Sequence, residues 1–463
     1  MKKRIQHIHF TGIGGIGMSG IAELLHNQGF QVQGSDAADS PNVQHLRLLG
    51  IPVFIGHDAT HLGQAQVVVV SSAIHKQNPE ILAAYQQEIP VIPRAEMLAE
   101  LMRMKQGIAV AGSHGKTTIT SMIAHGMECA GLDPTYVIGG RLMASGSNVR
   151  LGESPWLVAE ADESDGSFLR LSPTMTVVSN IDPEHLDHYG DFDHLMGAFE
   201  QFVQRTPFYG LVVLHHEHPN VAKLRENLHK RVTTYGQSPQ ADLSLSEQTV
   251  QGHTQFLTIH RRKQNDDLAI ELPMPGLHNA ENCMAATAVL LDLGITEDVI
   301  QMAFRSFSGI QRRFQCTPYL DGVLVDDYAH HPKEILATLE AARHCWQDKK
   351  RLVIFQPHRY TRTRDLMEEF LGAFDACHEV LILPIYAASE SPIEGISSEK
   401  LSHDLMVRGH RNARFCNNLS QARHDAIHAL QQGDIVLLLG AGSIGGLARE
   451  LRQELSKSTP VNT

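Results

Sequence analysis

Three strand–glycine turn–helix junctions constrain the fold of this chain more than any other feature of its sequence. They are "HIHFTGIGGIGMSG" near the start, "IAVAGSHGKTTITSM" after residue 107, and "DIVLLLGAGSIGG" near residue 440. In each junction a short apolar run leads into glycines, and the glycines lead into a helical pattern. Short apolar runs and longer helical patterns also alternate between the junctions, which predicts parallel α/β units.

The chain has 463 residues, which is enough for about three domains. We predict a first domain over residues 1–105, a central domain over 106–309 and a third domain over 310–463. Between residues 210 and 275 the pattern changes to two-residue alternation, as in "HTQFLTIHRR", which is typical of half-exposed antiparallel strands. The central α/β domain is therefore expected to carry an extra antiparallel sheet.

Composition and charge exclude several classes of protein. Lysine and arginine number 39 against 51 acidic residues, and such an acidic chain lacks the basic surface on which non-specific nucleic-acid binding depends. The six cysteines stand singly, without a C-x-x-C pair, which predicts reduced thiols. The chain has a basic start, but His7, His9 and the glycines interrupt any apolar signal-peptide core. No apolar run approaches the roughly 20 residues of a membrane span. We expect a cytoplasmic protein with no nucleic-acid partner and no membrane insertion.

The first junction has the pattern Gly12-x-Gly14-x-x-Gly17, and Asp36 stands at the end of the next apolar run. Glycines in this arrangement let a pyrophosphate approach a helix N-terminus, and the acid hydrogen-bonds a ribose. The pattern predicts a site for a nucleotide that contains a diphosphate. Two alternatives stay open, namely a nicotinamide-dependent oxidoreductase and a tight turn without a ligand.

The second junction departs from the strict phosphate-loop pattern G-x-x-x-x-G-K-[ST], because Val110 stands five residues before Gly115. It keeps Gly112, Gly115, Lys116 and Thr117, which supply backbone amides, an ammonium for phosphates and a hydroxyl for Mg²⁺. The missing glycine shortens the loop without removing these groups. We predict ATP binding here, against the alternative of a chance glycine turn.

Acidic and histidine side chains follow other predicted strands of the same unit. Glu160 and Asp162 of "VAEADESDGS" stand where a Mg²⁺-binding acid belongs beside a phosphate loop, with solvated loop acids as the alternative. His185 of "NIDPEHLDHYG" is a candidate for contact with metal or phosphate, with a purely structural histidine as the alternative. The histidines of "LHHEHPN" have no cysteine nearby, and we do not expect zinc there.

The third segment gathers imidazole, phenol and guanidinium groups after two predicted strands. The residues are Tyr328, His330 and His331 of "DDYAHHP", and His358, Arg359 and Arg362 of "QPHRYTRTR". Open α/β sheets bind ligands at the carboxyl ends of strands, and arginine holds a carboxylate with two hydrogen bonds. We predict a site for an anionic substrate, with a solvated loop as the alternative. The glycines of the third junction are expected to form only a packing turn, because no strand ending in an acid follows them.

Taken in order along the chain, these motifs resemble those of the Mur ligase family of bacterial cell-wall synthesis. The similarity covers nearly the whole chain and rests on "GSHGKTT", "EADESDGSF", "NIDPEHLDHYG", "PGLHNAENCMAA", "YAHHPKEI" and "FQPHRYTRTRDL". The resemblance implies an N-terminal Rossmann-like domain for a UDP-sugar, a central ATPase with a phosphate loop, and a C-terminal Rossmann-like domain for an amino acid. It also implies ATP-dependent ligation with Mg²⁺, in which L-alanine joins the lactyl carboxylate of UDP-N-acetylmuramate through an acyl phosphate.

The resemblance implies roles for individual residues of this chain. Lys116, Glu160 and His185 would be catalytic, and Thr117, Glu160 and His185 would hold or position metal. The implied ATP site comprises Gly112, Ser113, His114, Gly115, Lys116, Thr117, Thr118, His278, Asn279, Asn282, Arg313 and Asp327. The implied UDP-sugar site comprises Gly14, Gly15, Ile16, Asp36 and Ser72, and the implied amino-acid site comprises Tyr328, His330, His358 and Arg362. The first glycine loop would then hold the diphosphate of UDP and not that of a nicotinamide cofactor.

The chain departs at one position from the pattern of several later Mur ligases. Those members carry a lysine, modified to a carbamate, fifteen residues after the histidine that corresponds to His185, whereas this chain has Glu200 there. A carboxylate supplies similar anionic oxygens, so we hypothesise that Glu200 replaces the carbamate and that no lysine is modified. Within the family, a ligase that adds murein tripeptide to the same UDP-sugar is the nearest alternative. The sequence is compatible with a monomer or a homodimer.

Overall fold

The computed structural model describes residues 4–71, 73–139, 142–143, 148–226, 228–388 and 390–458. Its internal contacts divide the chain into two compact units. The first unit comprises residues 1–247, 257–270 and 281–308, and the second comprises residues 248–256, 271–280 and 309–463. The described strands form three sheets. The exact boundaries of three sequence domains stay a prediction.

The first sheet is built from short parallel strands connected by helices. Its strands are β1 (His7–Thr11), β2 (Gln31–Asp36), β3 (Val53–Ile55), β4 (Val67–Val70) and β5 (Val91–Pro93), and its helices are α1 (Ile16–Asn27), α2 (Pro41–Leu48), α3 (Pro79–Gln86) and α4 (Arg94–Arg103). A short 3-10 helix spans Ala59–Leu62. The strand order is β3-β2-β1-β4-β5. The order reverses between β1 and β4, and such a reversal opens a crevice at the carboxyl ends of the strands.

The second sheet contains ten strands. They are β6 (Gln106–Ala111), β7 (Thr135–Val137), β8 (Val149–Arg150), β9 (Trp156–Glu160), β10 (Met175–Val178), β11 (Leu211–His215), β12 (Val232–Gly236), β13 (Leu243–Gln251), β14 (Thr254–Arg261) and β15 (Asp266–Leu272). The accompanying helices are α5 (Lys116–Cys129), α6 (Leu186–Tyr189), α7 (Phe192–Gln204), α8 (Pro219–Glu226), α9 (Leu277–Asp292) and α10 (Glu297–Arg305), with a 3-10 helix at Ser167–Arg170. The order is β15-β14-β13-β12-β11-β10-β6-β9-β7-β8, so β6 lies between β10 and β9.

The strands expected to form an extra antiparallel sheet extend this ten-stranded sheet instead. β12 pairs in parallel with β13, and β14 and β15 follow β13 in the strand order. β13 ends at Gln251 and its neighbour β14 begins at Thr254, and so short a connection is possible only between antiparallel strands. The two-residue alternation thus identifies these strands, but it does not show which sheet they join.

The third sheet belongs to the second unit. Its strands are β16 (Gln315–Tyr319), β17 (Gly322–Asp327), β18 (Arg351–Phe355), β19 (Glu379–Ile382), β20 (Ala413–Phe415) and β21 (Ile435–Leu439), in the order β16-β17-β21-β18-β19-β20. Its helices are α11 (Pro332–Cys345), α12 (Tyr360–Asp365), α13 (Met367–Ala373), α14 (Ser398–Arg408), α15 (Leu419–Gln431) and α16 (Ile444–Ser458). β16 is antiparallel to β17, and the other pairs are parallel.

The apolar strands lie in the core because helices cover both faces of a parallel sheet. All five residues of β18, "RLVIF", and all five of β21, "IVLLL", are buried. No helix in the described part of the chain is long and apolar enough to cross a membrane. All six cysteines are free thiols.

Glu80 of α3 is the centre of a buried polar cluster beneath the first glycine loop. Its Oε2 accepts hydrogen bonds from Thr11 Oγ1 at 2.8 Å and Ser35 Oγ at 2.7 Å and lies 3.0 Å from His9 Nε2. Its Oε1 lies 3.0 Å from His61 Nδ1. Burial raises the pKa of the Glu80 carboxyl, but these hydrogen bonds outweigh burial and hold it at about 2, below its ordinary value of 4.5. The ionised carboxylate therefore ties β1, β2 and α3 together.

We predict that Glu80→Gln lowers the melting temperature of the protein and alters its pH dependence. Because the pKa of Glu80 is depressed on folding, the carboxylate stabilises the fold above pH 4.5, and this stabilisation is lost as the pH falls toward 2. A shift of this size corresponds to about 3 kcal/mol at neutral pH. Calorimetry between neutral pH and pH 4 should show a difference between wild type and variant that narrows below about pH 4.5.

Glu88→Gln is the matched control, because Glu88 is exposed just after α3 and its substitution removes one carboxylate outside the cluster. This control should melt within about 1 °C of wild type, as expected for an isolated surface change. A Glu80→Gln protein that melts like the control at neutral pH would contradict the stabilising role of the cluster.

Candidate active site

The first glycine loop is closed by hydrogen bonds to the end of β2. The backbone N–H groups of Gly12 and Ile13 donate to the carbonyl of Ser35, and the N–H of Gly14 donates to Asp36 Oδ2 at 2.8 Å. Gly12 has a φ of 82°, which glycine adopts without strain. The structure thus brings the predicted residues Gly14 and Asp36 together, with Gly15 directly before α1. Ser72 lies outside the described residues, and of Ile16 the structure describes only its place at the start of α1.

The position of Val110 in the sheet shows why the strict phosphate-loop pattern, which has a glycine there, does not apply. Val110 is a buried residue of β6, paired in register with Glu160 of β9, so the loop begins only at Gly112. Gly112 has a φ of 131°, and a Cβ there would lie 2.2 Å from Ser179 Oγ. Gly115 has a φ of 86° and directly precedes Lys116, the first residue of α5. The shortened loop is therefore a complete strand–loop–helix junction, with Thr117 and Thr118 buried in the first turn of the helix.

Hydrogen bonds from the segment after β10 fix the conformation of the phosphate loop. Ser113 Oγ accepts from the N–H of Asp182 at 2.9 Å, and the N–H of His114 donates to Asn180 Oδ1 at 2.7 Å. Ser179 Oγ donates to the carbonyl of His114 at 2.6 Å. The sequence patterns did not single out Ser179 or Asn180, although their place directly after the apolar run "MTVV" was the available signal.

Lys116 is folded onto its own loop and paired with Glu163. Its Nζ donates to Glu163 Oε1 at 2.8 Å, to the carbonyl of Gly112 at 2.5 Å and to the carbonyl of Ser113 at 3.3 Å. Burial alone would lower the pKa of Lys116, but nearby carboxylates, Glu163 above all, raise it above its ordinary value. The ammonium is therefore charged. The sequence patterns pointed to Glu160 and Asp162 in this acidic run and missed Glu163.

Two of the predicted metal-binding residues, Glu160 and His185, lie close to the acidic loop that carries Glu163. Glu160 ends β9 next to β6, and its Oε1 accepts from the N–H of Gly139 at 2.6 Å. His185 has a φ of 58° at the start of α6, and its Nε2 lies 3.9 Å from Glu163 Oε1. Glu200 is different, because it lies on the exposed side of α7 and lines a surface cavity with Gln204 and Leu224 of α8. The structure gives no support to the hypothesis that Glu200 replaces a carbamate at the metal.

The "GLHNAEN" motif is divided between the two units. In the first unit Asn282 lies against the phosphate loop, since a Cβ on Gly115 would lie 2.5 Å from Asn282 Oδ1. In the second unit Asn279 Nδ2 donates to the carbonyl of Pro275 at 2.7 Å, and a Cβ on Gly276 would lie 2.7 Å from His278 Cε1. The structure therefore places Asn282 next to the phosphate loop. The roles of His278 and Asn279 stay predictions.

In the second unit, Asp327 at the end of β17 organises the turn that carries Arg313 and Tyr328. Its Oδ2 accepts from the N–H of Phe314 at 2.6 Å and its Oδ1 from the N–H of Ala329 at 2.7 Å. Burial raises the pKa of Asp327 to about 6, which the charge of Arg313 offsets only in part. The guanidinium of Arg313 lies 5.5 Å from the centre of the Tyr328 ring. Arg313, Asp327 and Tyr328 thus form one local group.

The predicted amino-acid site forms a second cluster in this unit. Arg362 Nη1 lies 3.3 Å from His358 Nδ1, and the rings of His330 and His358 are 5.9 Å apart. Burial and the charge of Arg362 lower the pKa of His358 to about 4, and burial lowers that of His330 to about 3. Both imidazoles are therefore neutral at physiological pH. Tyr386, which no sequence pattern indicated, stacks on His358 with ring centres 5.5 Å apart.

The third glycine junction is filled by side chains of its own unit. Gln356 Oε1 accepts from the N–H of Ile444 at 2.9 Å, and a Cβ on Gly442 would lie 2.5 Å from this oxygen. A Cβ on Gly445 would lie 2.7 Å from Arg312 Nη1, and Arg312 donates to the carbonyl of Gly440. These contacts agree with the interpretation of this junction as a packing turn.

The chain matches three domains of one protein family. The Mur ligase family catalytic domain matches residues 7–128, the Mur ligase middle domain matches 110–290, and the Mur ligase glutamate ligase domain matches 312–442. The chain belongs to the Mur ligase family. It is an ATP-dependent ligase.

Similar proteins include ligases that act on UDP-N-acetylmuramate and L-alanine and a murein peptide ligase. The UDP-N-acetylmuramate–L-alanine ligase of Agrobacterium fabrum is 50% identical and covers 98% of both chains, and that of Chelativorans sp. is 49% identical and covers 98% of this chain and 99% of the relative. The crystal structure of UDP-N-acetylmuramate-alanine ligase from Thermotoga maritima superposes with a TM-score of 0.83 at 28% identity, covering 98% of this chain and all of that one. A murein peptide ligase from Psychrobacter arcticus, at 21% identity and a TM-score of 0.71 over 98% of this chain and all of that one, shares the fold.

We predict that Gly115→Ala weakens ATP binding, whereas a comparable backbone strain elsewhere in the first unit does not. The backbone strain of a φ of 86° is joined by a clash with Asn282 Oδ1, so the loop and Asn282 must both move. Gly131→Ala is the matched control, because Gly131 has a φ of 73° just after α5 and its Cβ would meet no atom within 4 Å. Each variant should lose about 1–2 kcal/mol of stability through strain.

Titration calorimetry with ATP separates the two variants. Gly115→Ala should lose more than about tenfold in affinity, whereas Gly131→Ala should bind ATP as wild type does. Equal ATP affinity in the two variants would show that the packing of Asn282 against the loop does not matter for the nucleotide.

Proposed function

We propose that this chain joins L-alanine to the lactyl carboxylate of UDP-N-acetylmuramate in peptidoglycan synthesis, with ATP activating the carboxylate. The observation that carries the proposal is the phosphate loop, where the charged Lys116 at the start of α5 stands 2.8 Å from the acidic loop after β9. The substrates are supported by relatives that are 49% and 50% identical over 98% of the chain and bear this activity in their names.

Joining a carboxylate to an amine in water requires that a carboxylate oxygen become a leaving group. In the proposed reaction the lactyl carboxylate attacks the γ-phosphorus of ATP, which gives an acyl phosphate and ADP. The neutral amine of L-alanine then attacks the acyl carbon, and the tetrahedral intermediate expels phosphate. Lys116 neutralises negative charge on the transferred phosphoryl group, and such preorganised charge is the largest contribution a protein makes to this chemistry.

Thr117, Glu160 and His185 would hold or position Mg²⁺ at this loop. The hydroxyl of Thr117 and the carboxylate of Glu160 offer the oxygen ligands that Mg²⁺ prefers. Thr117 lies in the first turn of α5, after the loop that leaves β6, and Glu160 ends the neighbouring strand β9. His185 is the less usual donor for this ion and would position a bound water or a phosphate oxygen. When bound, the ion would neutralise phosphate charge beside Lys116.

The cluster of Arg362, His330 and His358 would receive L-alanine. Because both imidazoles are neutral at physiological pH, Arg362 is the group of this trio that attracts a carboxylate. The His358 ring is held by the contact of its Nδ1 with Arg362 and by the stacked ring of Tyr386. A short amino acid suits such a cluster, since one guanidinium fixes its carboxylate and leaves the amine free to react.

The roles proposed for the first glycine loop follow from the same reaction. Gly14, Gly15 and Asp36 would bind the UDP portion of the substrate, with the diphosphate near the start of α1. ATP and a UDP-sugar are both cytoplasmic metabolites, so we also propose the cytoplasm as the site of action. A nicotinamide-dependent oxidoreductase, the alternative function for this loop, is incompatible with membership of the ligase family.

We predict that the protein releases phosphate from ATP only when UDP-N-acetylmuramate and L-alanine are both present. The amino acid is required because it consumes the acyl phosphate and so completes the turnover. Phosphate release should be measured with L-alanine and, in parallel, with the murein tripeptide at equal concentration. Activity with L-alanine at least about 100-fold above that with tripeptide is expected from the difference in ligand size.

The same assay decides between the two ligase activities. Turnover of UDP-N-acetylmuramate with the tripeptide but not with L-alanine would overturn the proposed substrate. It would identify the protein as a peptide-recycling ligase. An absence of phosphate release with either amine, in protein shown to bind ATP, would contradict the proposed reaction altogether.

A further inference from the structure

The lysine of the phosphate loop, Lys116, forms an ion pair with Glu163. The three N–H groups of the ammonium have three acceptors, namely Glu163 Oε1 at 2.8 Å and the carbonyls of Gly112 and Ser113 at 2.5 and 3.3 Å. In a nucleotide-bound phosphate loop this ammonium reaches the β- and γ-phosphates. The observed conformation of Lys116 therefore has to change when a nucleotide binds.

Glu163 is held rigidly in the place where it meets Lys116. Its side chain is only 2% exposed. Its backbone carbonyl accepts hydrogen bonds from Tyr189 Oη at 2.6 Å and from the N–H of Gly166 at 3.1 Å, so the turn that carries it is fixed from two sides. This anchored backbone limits how far the Glu163 carboxylate can follow the lysine toward a phosphate.

The second carboxylate oxygen of Glu163 shows that this residue is not satisfied by the fold alone. Glu163 Oε2 is buried and has no hydrogen-bond partner in the part of the chain that the structure describes. In the described part of the chain Lys116 is the hydrogen-bond partner of this carboxylate, and His185 Nε2 lies further away, at 3.9 Å from Oε1. A buried carboxylate depends heavily on such a partner, because burial keeps water from taking the partner's place. The neighbouring acid Asp162 is 47% exposed and lies 3.9 Å from Arg94, so it has a second cation besides Lys116.

We propose that Glu163 is a positioning residue that competes with the nucleotide phosphates for Lys116. Glu163 keeps the ammonium at the mouth of the loop before the nucleotide arrives, and binding exchanges the Lys116–Glu163 ion pair for a Lys116–phosphate contact. The loss of the Lys116–Glu163 ion pair thereby offsets part of the favourable free energy of the contact between Lys116 and phosphate. The inference rests on the proposed binding of a nucleotide at this loop.

The test is the affinity for ADP without divalent cations, measured by titration calorimetry in EDTA. Glu163→Gln removes the competing charge while keeping the shape of the side chain, so ADP should bind about tenfold more tightly than to wild type. Glu163→Asp keeps the charge but shortens the side chain by one methylene, and it should give a smaller gain of the same sign. It also serves if the glutamine variant does not fold.

Asp165→Asn is the matched control. Asp165 lies two residues further along the same turn and caps the N–H of Ser167, a hydrogen bond that asparagine retains. This variant makes the same change in net charge without touching Lys116, and its ADP affinity should stay within about twofold of wild type. An equal gain in Asp165→Asn and Glu163→Gln would overturn the inference, because it would show a general effect of charge.

A double-mutant cycle with Lys116→Met shows whether Glu163 acts through the lysine. The gain from Glu163→Gln should disappear in the Lys116→Met background. A gain of the same size in both backgrounds would overturn the inference in favour of direct repulsion between Glu163 and the phosphates. Weaker or unchanged ADP binding in Glu163→Gln would also overturn it. Failure of the wild-type protein to bind ADP or ATP under any condition would instead count against the proposed function.

Discussion

The pairing of β6 with β10 on one side and β9 on the other is the constraint on which the nucleotide site depends. Val110 of β6 is in register with Glu160 of β9 and with Val177 of β10, so the three strands end at the same level of the sheet. The loops that leave the carboxyl ends of parallel strands all emerge at one edge of the sheet. The phosphate loop, the acidic loop and the segment that begins at Ser179 therefore leave the sheet side by side, although they are far apart in sequence.

This arrangement concentrates charge in a partly buried place, and the structure balances it locally. Lys116 is half-buried among carboxylates that keep it charged. Asp182 and Glu184 lie 3.5 and 3.2 Å from His114 Nε2. Charges interact more strongly here than in water because the local dielectric constant is lower. The same property suits the chemistry, since a fixed ammonium stabilises a phosphoryl group without the reorganisation that water requires.

The sequence predicted those parts of the site that depend on local pattern. The spacing of residues along the chain indicates the three glycine junctions and the position of Lys116 at a helix start. The clustering of His330, His358 and Arg362 follows from their place after two predicted strands. The partner of Lys116 was missed because "EADESD" contains four acids within six residues, and pattern alone does not show which of them is buried. Tyr386 was missed because it meets His358 only through a strand-like bridge across 28 residues.

Two further expectations concern neighbours that are distant along the chain. The half-exposed strands of the central region join the edge of the ten-stranded sheet, and alternation along one strand does not specify its neighbour. Glu200 was placed near the metal by its distance from His185 along the chain, but α7 turns this side chain toward solvent. Both outcomes depend on tertiary packing, which a single sequence does not express.

The central claim is that ATP is used here to activate a carboxylate. It is tested most directly with UDP-N-acetylmuramate whose lactyl carboxylate is labelled with ¹⁸O, incubated with the protein, ATP, Mg²⁺ and L-alanine. One labelled oxygen should pass into the released phosphate for each amide bond formed, because the acyl phosphate breaks at its carbon–oxygen bond. Amide formation accompanied by unlabelled phosphate would contradict it.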